Sequence, residues 1–179
     1  MSAAATHRAT VDGAAGAIEI AYAIPAHPVA IAVVAHPHPL HGGTMDNKVV
    51  TTVAKTFAEA GAATFRFNFR GVGASEGKHD EGRGETEDLL EVAAHAARAV
   101  GELPLWLSGF SFGGGVALRA STRAPFAHLV LVAPAFRRTR SFLLLHRCGQ
   151  RTRPIVCGNG AKVKRGPATR ACAQRRSAP

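Results

Sequence analysis

One serine stands among residues that suit it for attack on a carbonyl. The stretch from Leu103 to Arg123 reads LPLWLSGFSFGGGVALRASTR, and within it Gly109-Phe110-Ser111-Phe112-Gly113 has the spacing G-x-S-x-G. An apolar run, Leu105 to Leu107, leads in, and a helix-like segment from Gly114 onward leads out. Strand, sharp turn and helix are the context this pattern needs. The turn strains the serine backbone and packs it close to its neighbours, which Gly109 and Gly113 allow. It also leaves the hydroxyl exposed at the strand's carboxyl end, above a helix N-terminus whose amides and dipole favour developing negative charge. The chemistry implied is nucleophilic acyl transfer through a covalent intermediate. An ordinary glycine-rich turn is the competing account of the same five residues, and the flanking strand and helix weigh against it.

A second candidate stretch is His36-Pro37-His38-Pro39-Leu40-His41-Gly42-Gly43-Thr44-Met45-Asp46-Asn47. Three histidines at spacings of two and three invite a metal. However, Pro37 and Pro39 should hold the loop extended and send the rings apart, and no carboxylate or cysteine stands at convincing ligand spacing. The expectation is therefore no metal. The loop leaves the carboxyl end of a central strand, where α/β folds build sites, so its amides could hold an oxyanion. Proline has no N–H, so within 37–40 only His38 and Leu40 can donate, with His38 favoured. A rigid connector with solvent-facing histidines is the plainer alternative. Arg70-Gly71-Val72-Gly73-Ala74-Ser75-Glu76-Gly77 resembles a phosphate loop only superficially. Glu76 occupies the third glycine position of G-x-G-x-x-G, and no G-K-[ST] is present.

Those loops need elements to hold them. Thr10-Val11 and Ala17 to Ala23 flank a glycine-rich turn and read as a β-hairpin. Val29 to Ala35, VAIAVVA, reads as a strand buried on both faces. Asp46 or Asn47 can cap a helix running to about Ala60, with Val49, Val50, Val53, Phe57 and Ala60 at helical spacing and Gly61 closing it. Ala62 to Phe69 is the next strand, less buried on the side of Arg66 and Asn68. Glu85-Thr86-Glu87-Asp88 starts a helix to about Val100 with acids in its first turn; Asp80, Glu81 and Glu85 read as a solvated face. After the Ser111 helix, Pro125 breaks the pattern and His128 to Ala133 is a further buried strand. Hairpin followed by β-α-β-α-β-α-β predicts a mostly parallel sheet with helices on both faces.

Composition fits a globular domain, with 46% hydrophobic residues in 179. No apolar run is long enough to cross a bilayer, and the N-terminus MSAAATHRATVDG lacks the apolar core of a signal peptide. A cytoplasmic protein without membrane attachment is expected. The net charge of +10 is divided unevenly. Residues 1–135 hold all 12 acidic residues and 10 of the 22 Lys and Arg, whereas residues 136–179 hold the other 12 bases and no acid. Cys148, Cys157 and Cys172 all fall in that last segment, fit no zinc spacing and read as free thiols.

HPHPLHGGTMDNKVV, TFRFNFRGVGASEGKHDEGRGETEDLLE, LWLSGFSFGGGVAL and LVLVAPA, in that order, resemble the small bacterial α/β-hydrolases related to dienelactone-hydrolase-like and peptidase-like esterases. The resemblance covers about residues 17 to 135. It implies an α/β-hydrolase fold, Ser111 as nucleophile, the Phe112 N–H as one oxyanion donor and the His36–Gly43 loop as the other. It implies no cofactor and a small-molecule ester or amide substrate. Past Ala135 the likeness stops. The family continues with two more strands carrying the catalytic acid and then the catalytic histidine, in the order Ser, acid, His. Here residues 136–179 contain no acid, and their only histidine is His146.

The expectation is thus an α/β-hydrolase core over residues 1–135, cut short at its C-terminal strands, and a basic, disordered or non-native tail over 136–179. A shifted reading frame in a GC-rich gene yields sequence of this kind; a genuine basic tail is the alternative. The function expected is a serine hydrolase weakened by an incomplete triad. Its competitor is a non-enzymatic protein whose tail binds nucleic acid or acidic surfaces. The tail's shortage of aromatics leaves only non-specific nucleic-acid contact.

Overall fold

In a computed structural model, residues 4–135 are described in full, together with the backbone of two later strands, 142–148 and 151–157. The chain begins with the hairpin β1 (His7–Gly13) and β2 (Gly16–Ala23), paired antiparallel through the turn at Gly13 and Gly16. There follow β3 (Ala30–Ala35), a 3₁₀ turn (Pro39–His41), α1 (Lys48–Glu59), β4 (Ala62–Phe67), α2 (Arg83–Val100), β5 (Leu105–Phe110), α3 (Phe112–Ala120) and β6 (His128–Val132). The strand order β1-β2-β4-β3-β5-β6 is parallel from β4 through β6 and antiparallel at the hairpin. This is the mostly parallel α/β sheet expected.

All six residues of β3 are buried, as a central parallel strand covered on both faces requires. Its side chains divide by parity. Ile31, Val33 and Ala35 join the main core with Leu89, Val92 and Ala96 of α2 and Val116, Ala117 and Ala120 of α3. On the opposite face Ala30 and Ala32 meet Phe57 and Trp106, while Val34 meets Val50 and Ala54 of α1. Helices therefore cover both faces. The chain passes from β3 through α1 to β4 on one side, then returns across β3 to β5 on the other. Loops leaving the carboxyl ends of β3 and β5 diverge at this switch point, where α/β sheets open a crevice.

Local boundaries follow local chemistry. Asn47, not Asp46, caps α1, its Oδ1 accepting from the Val49 N–H at 2.9 Å. Asp46 instead pairs with Arg8 and Arg66, 2.6 and 3.1 Å away. Ala60 is exposed rather than part of the apolar face. The helix ends where Gly61 takes φ 87°, a left-handed conformation that favours glycine.

Beyond Ala135, where a basic, disordered or non-native tail is expected, the backbone of two strands is described. The backbone of β7 (Phe142–Cys148) pairs antiparallel with β6, and β8 (Arg151–Cys157) pairs antiparallel with β7. His146 falls in β7, in register with His128. These strands extend the sheet as a hairpin and not as another parallel β-α-β unit. The remainder of the expectation for residues 136–179, their disorder and the state of the three cysteines included, lies outside the described residues.

Candidate active site

Ser111 is the joint between β5 and α3. Its backbone has φ 54° and ψ −115°, a strained conformation for a residue with a Cβ that costs about 1–3 kcal/mol. The strain is held in place by β6 and the segment after it. The Ser111 N–H donates to the Val132 carbonyl at 2.9 Å, and the Ser111 carbonyl accepts from Ala135 and Gly114 at 3.1 and 3.0 Å. A Cβ at Gly109 would collide with the Gly113 carbonyl, and one at Gly113 with the carbonyls of Ala35 and His36. Both glycines are there because backbone passes through the space a side chain would need. Ser111 and Phe112 are half-buried. α3 starts at Phe112, two residues before the position expected from sequence. No acceptor within the described residues takes the Phe112 N–H.

The loop after β3 lies beside this elbow, since Gly113 packs on Ala35 and His36. Its histidines are not arranged as the prolines suggested. His36 is fully buried. Its Nε2 accepts from the Phe69 N–H at 3.0 Å and its Nδ1 donates to the Pro37 carbonyl at 2.6 Å. Both nitrogens are occupied only in the neutral ring, and burial pushes the pKa down to about 4. His36 is a fastener between the ends of β3 and β4.

His38 and His41 do not diverge. The Pro39–His41 turn folds the loop back and brings their rings to 4.7 Å. His38 also lies 4.7 Å from Phe112 and 5.0 Å from His79. Its pKa is lowered by partial burial, then by its His41 and His79 neighbours. The two candidate amides now differ. The Leu40 N–H donates to His38 Nδ1 at 3.2 Å, and Leu40 is 70% exposed. The His38 N–H has no acceptor among the described residues.

Sequence reading placed Glu85 on a solvated face. It is fully buried. Its Oε1 accepts from the Asp80 N–H and its Oε2 from the Gly82 N–H, at 2.9 and 2.8 Å. Asp80 Oδ2 accepts from the Gly84 N–H at 3.0 Å. These carboxylates satisfy the free amides at the start of α2, which is why the helix starts at Arg83. Asp88 was read as a first-turn acid answering the helix dipole. It is a buried ion-pair partner of Arg70, bound through Nη2 at 2.7 Å and Nε at 3.0 Å. The glycine loop likewise serves a carboxylate. Glu19 Oε2 accepts from the Ala74 N–H and Asn68 Nδ2, and those bonds, with Arg8, hold its pKa below the usual range. A Cβ at Gly73 would overlap Glu19 and Asn68. Pairings of this kind join distant residues, and no local pattern announces them. Among the described residues no group of three or more His, Cys, Asp or Glu could hold a metal ion.

The comparisons agree with this architecture. The serine aminopeptidase family, S33, matches residues 30–159, well over half of the chain. The chain belongs to that family. By family it is a hydrolase of the α/β serine type. Among solved structures, an α/β serine hydrolase homologue from Coxiella burnetii is 42% identical, with a TM-score of 0.69, covering 72% of this chain and 62% of its own. XC6422 from Xanthomonas campestris, described as an α/β serine hydrolase without lid, is 40% identical with a TM-score of 0.70, covering 75% and 64%. The uncharacterized protein RP471 of Rickettsia prowazekii is 41% identical over 129 residues, 69% of this chain and 53% of its own. The chain thus spans about half the length of that curated relative.

Proposed function

We propose that Ser111 is the nucleophile of a serine hydrolase acting on a small ester or amide in the cytoplasm, and that this chain turns over slowly. The observation that carries the reading is the strained φ of Ser111 at the start of α3, with the Phe112 and His38 amides unclaimed nearby. Attack by the Ser111 oxygen on the carbonyl carbon would create an oxyanion, and those two N–H groups are the donors for it. Leu40 is the weaker candidate because its amide is engaged by the His38 ring. The acyl group would then leave Ser111 by hydrolysis.

Slowness follows from proton handling. In the family the acid follows the first of two strands beyond β6 and the histidine the second, in the order Ser, acid, His, yet the last acidic residue of this chain is Glu102. His36 is neutral and fully bonded, so it cannot serve as base. With no acidic residue after Glu102 to orient an imidazole at Ser111, the oxyanion donors and binding carry most of the help, so turnover of this chain should fall at least ~10³-fold below a complete homologue. The test pairs p-nitrophenyl acetate turnover, wild type against Ser111→Ala, with labelling by a fluorophosphonate read by mass spectrometry. Slow turnover that vanishes in Ser111→Ala, with the label on Ser111, is expected. No label and equal turnover in both proteins would remove Ser111 from the chemistry. Turnover matching a complete homologue would remove the incomplete triad.

A further inference from the structure

At its hairpin end the sheet finishes in a strand whose outer side is bare. β1 pairs with β2 residue for residue, from His7↔Tyr22 to Gly13↔Gly16, and stands first in the strand order. In an antiparallel ladder, pairs that exchange N–H···O=C bonds alternate with pairs whose backbone groups turn away from the partner strand. β2 shows which pairs turn away. The Glu19 N–H donates to Ser75 Oγ and the Glu19 carbonyl accepts from the Asn68 N–H, both at 2.9 Å. The Ala17 N–H donates to Glu76 Oε2 at 2.9 Å, and its carbonyl accepts from the Glu76 N–H at 2.8 Å. These two residues spend their backbone groups away from β1. Their opposite numbers, Thr10 and Asp12, therefore turn their own amides and carbonyls outward, and the alternation places Arg8 with them. Among the described residues, no loop, turn or side chain takes up those backbone groups.

Sheets guard a bare edge with lysine, proline, a bulge or a covering segment. The seven residues of β1, HRATVDG, include no lysine or proline, and their register is unbroken. The one cation, Arg8, is engaged by Glu19 and Asp46 of its own chain. The strand is also complementary to itself. Laid antiparallel to a second β1 about a twofold axis at Thr10, it sets Thr10 opposite Thr10 and Arg8 opposite Asp12 of the second copy. All of these residues have outward backbone groups, so each opposed pair exchanges two hydrogen bonds. Thr–Thr and opposite-charge neighbours favour this register, and a slip of one residue would bring inward-turned groups to the edge. Asp12 is exposed and has no ion-pair partner among the described residues, so its carboxylate is free for the Arg8 side of the second copy.

We propose that β1 is a docking edge for a second copy of this chain, joining two sheets into one across a twofold axis at Thr10. The contact is isologous, so it closes on itself as a dimer. Seven residues a side fall well short of the roughly 20–30 of a stable interface, so the dimer is weak and depends on concentration. The proposal does not depend on the reading of Ser111.

Sedimentation velocity of the full chain from about 5 to about 500 µM should show monomer passing to dimer. Salt of about 0.15 M screens the net charge of +10, which would otherwise hold two copies apart. Amide hydrogen exchange by NMR over the same range reads the edge itself. The Arg8, Thr10 and Asp12 amides should slow as dimer forms, whereas those of Ala9 and Val11, already bonded to β2, should not change. Thr10→Pro removes an outward N–H and leaves the bonds to β2 in place. It should weaken the dimer at least about tenfold while the circular dichroism spectrum is retained. Asp12→Arg, which sets like charge opposite Arg8, should weaken it too, and it decides alone if the proline unfolds the hairpin. A monomer at every concentration, or a dimer that neither variant weakens, would overturn the proposal. Edge amides already slow in the dilute monomer would overturn it as well, since the chain would then be covering its own edge.

Discussion

His36 has to stay uncharged for the loop after β3 to keep its place. It accepts from the Phe69 amide through Nε2, and a proton on that nitrogen would turn the acceptor into a donor facing a donor. Its pKa of about 4 in the fold lies below the usual 6.5. The unfolded chain therefore binds the proton first, and stability is complete above about pH 6.5 and erodes as pH falls toward 4. For this buried ring the full loss is on the order of 3 kcal/mol. Below that window Glu19 and Asp46, both held under the usual carboxylate range, add their own loss as they are protonated. Denaturant melts between pH 7.5 and 4, in about six steps, should show this decline. His36→Ala should be less stable at neutral pH by about 1–3 kcal/mol, because the Phe69 N–H is left buried and unpaired. It should also show a shallower slope between pH 6.5 and 4. An equal slope in the variant would place the acid sensitivity elsewhere.

The elbow shows how one element can demand glycine at some positions and merely tolerate it at others. Gly109 ends β5 against the Gly113 carbonyl, and Gly113 opens α3 against Ala35 and His36. Those neighbours are backbone, which cannot move aside. Gly115 lies in the same helix with nothing within 4 Å of a Cβ. Gly115→Ala should therefore stabilise the protein by about 0.5–1 kcal/mol, the helix propensity gained. Gly109→Ala and Gly113→Ala should each destabilise it by at least about 1–3 kcal/mol through overpacking. Urea melts of the three variants check the contrast, and a stable Gly113→Ala would contradict the tight packing of elbow on loop. Much of this scale was legible beforehand. The G-x-S-x-G spacing, the uniform apolar run of β3 and the period of α1 all state local requirements, and local requirements survive in sequence. The start of α2 was not legible. Its first amides are held by Asp80 and Glu85, and an acid that caps a helix from inside reads like an acid that faces water. Asp88 was missed for a related reason, because its partner Arg70 sits 18 residues earlier, in the loop after β4.

At the scale of the whole molecule, the sequence divides into a nearly balanced core and a strongly basic end. The core was readable because alternation of strand and helix dictates a parallel sheet. Past β6 that rhythm stops, and β7 and β8 join the sheet by antiparallel pairing. Among the described residues β8 is the outermost strand on this side of the sheet and includes Pro154, in register with Leu145. Proline cannot donate to a ladder and is tolerated chiefly at an edge, so β8 lacks one donor at this position. The 12 bases of residues 136–179 have no acid among them, and a concentration of like charge opposes compaction. Both features weaken the molecule at its C-terminal side, where β6 anchors the backbone of Ser111 through the Val132 carbonyl. Thermal unfolding followed by circular dichroism should have its midpoint below about 60 °C, the upper part of the mesophile range. Raising salt from about 0.05 to about 0.5 M should lift that midpoint by screening the basic segment. A cooperative transition above about 60 °C, indifferent to salt, would mean that the basic border carries no penalty and the sheet is sound to its last strand.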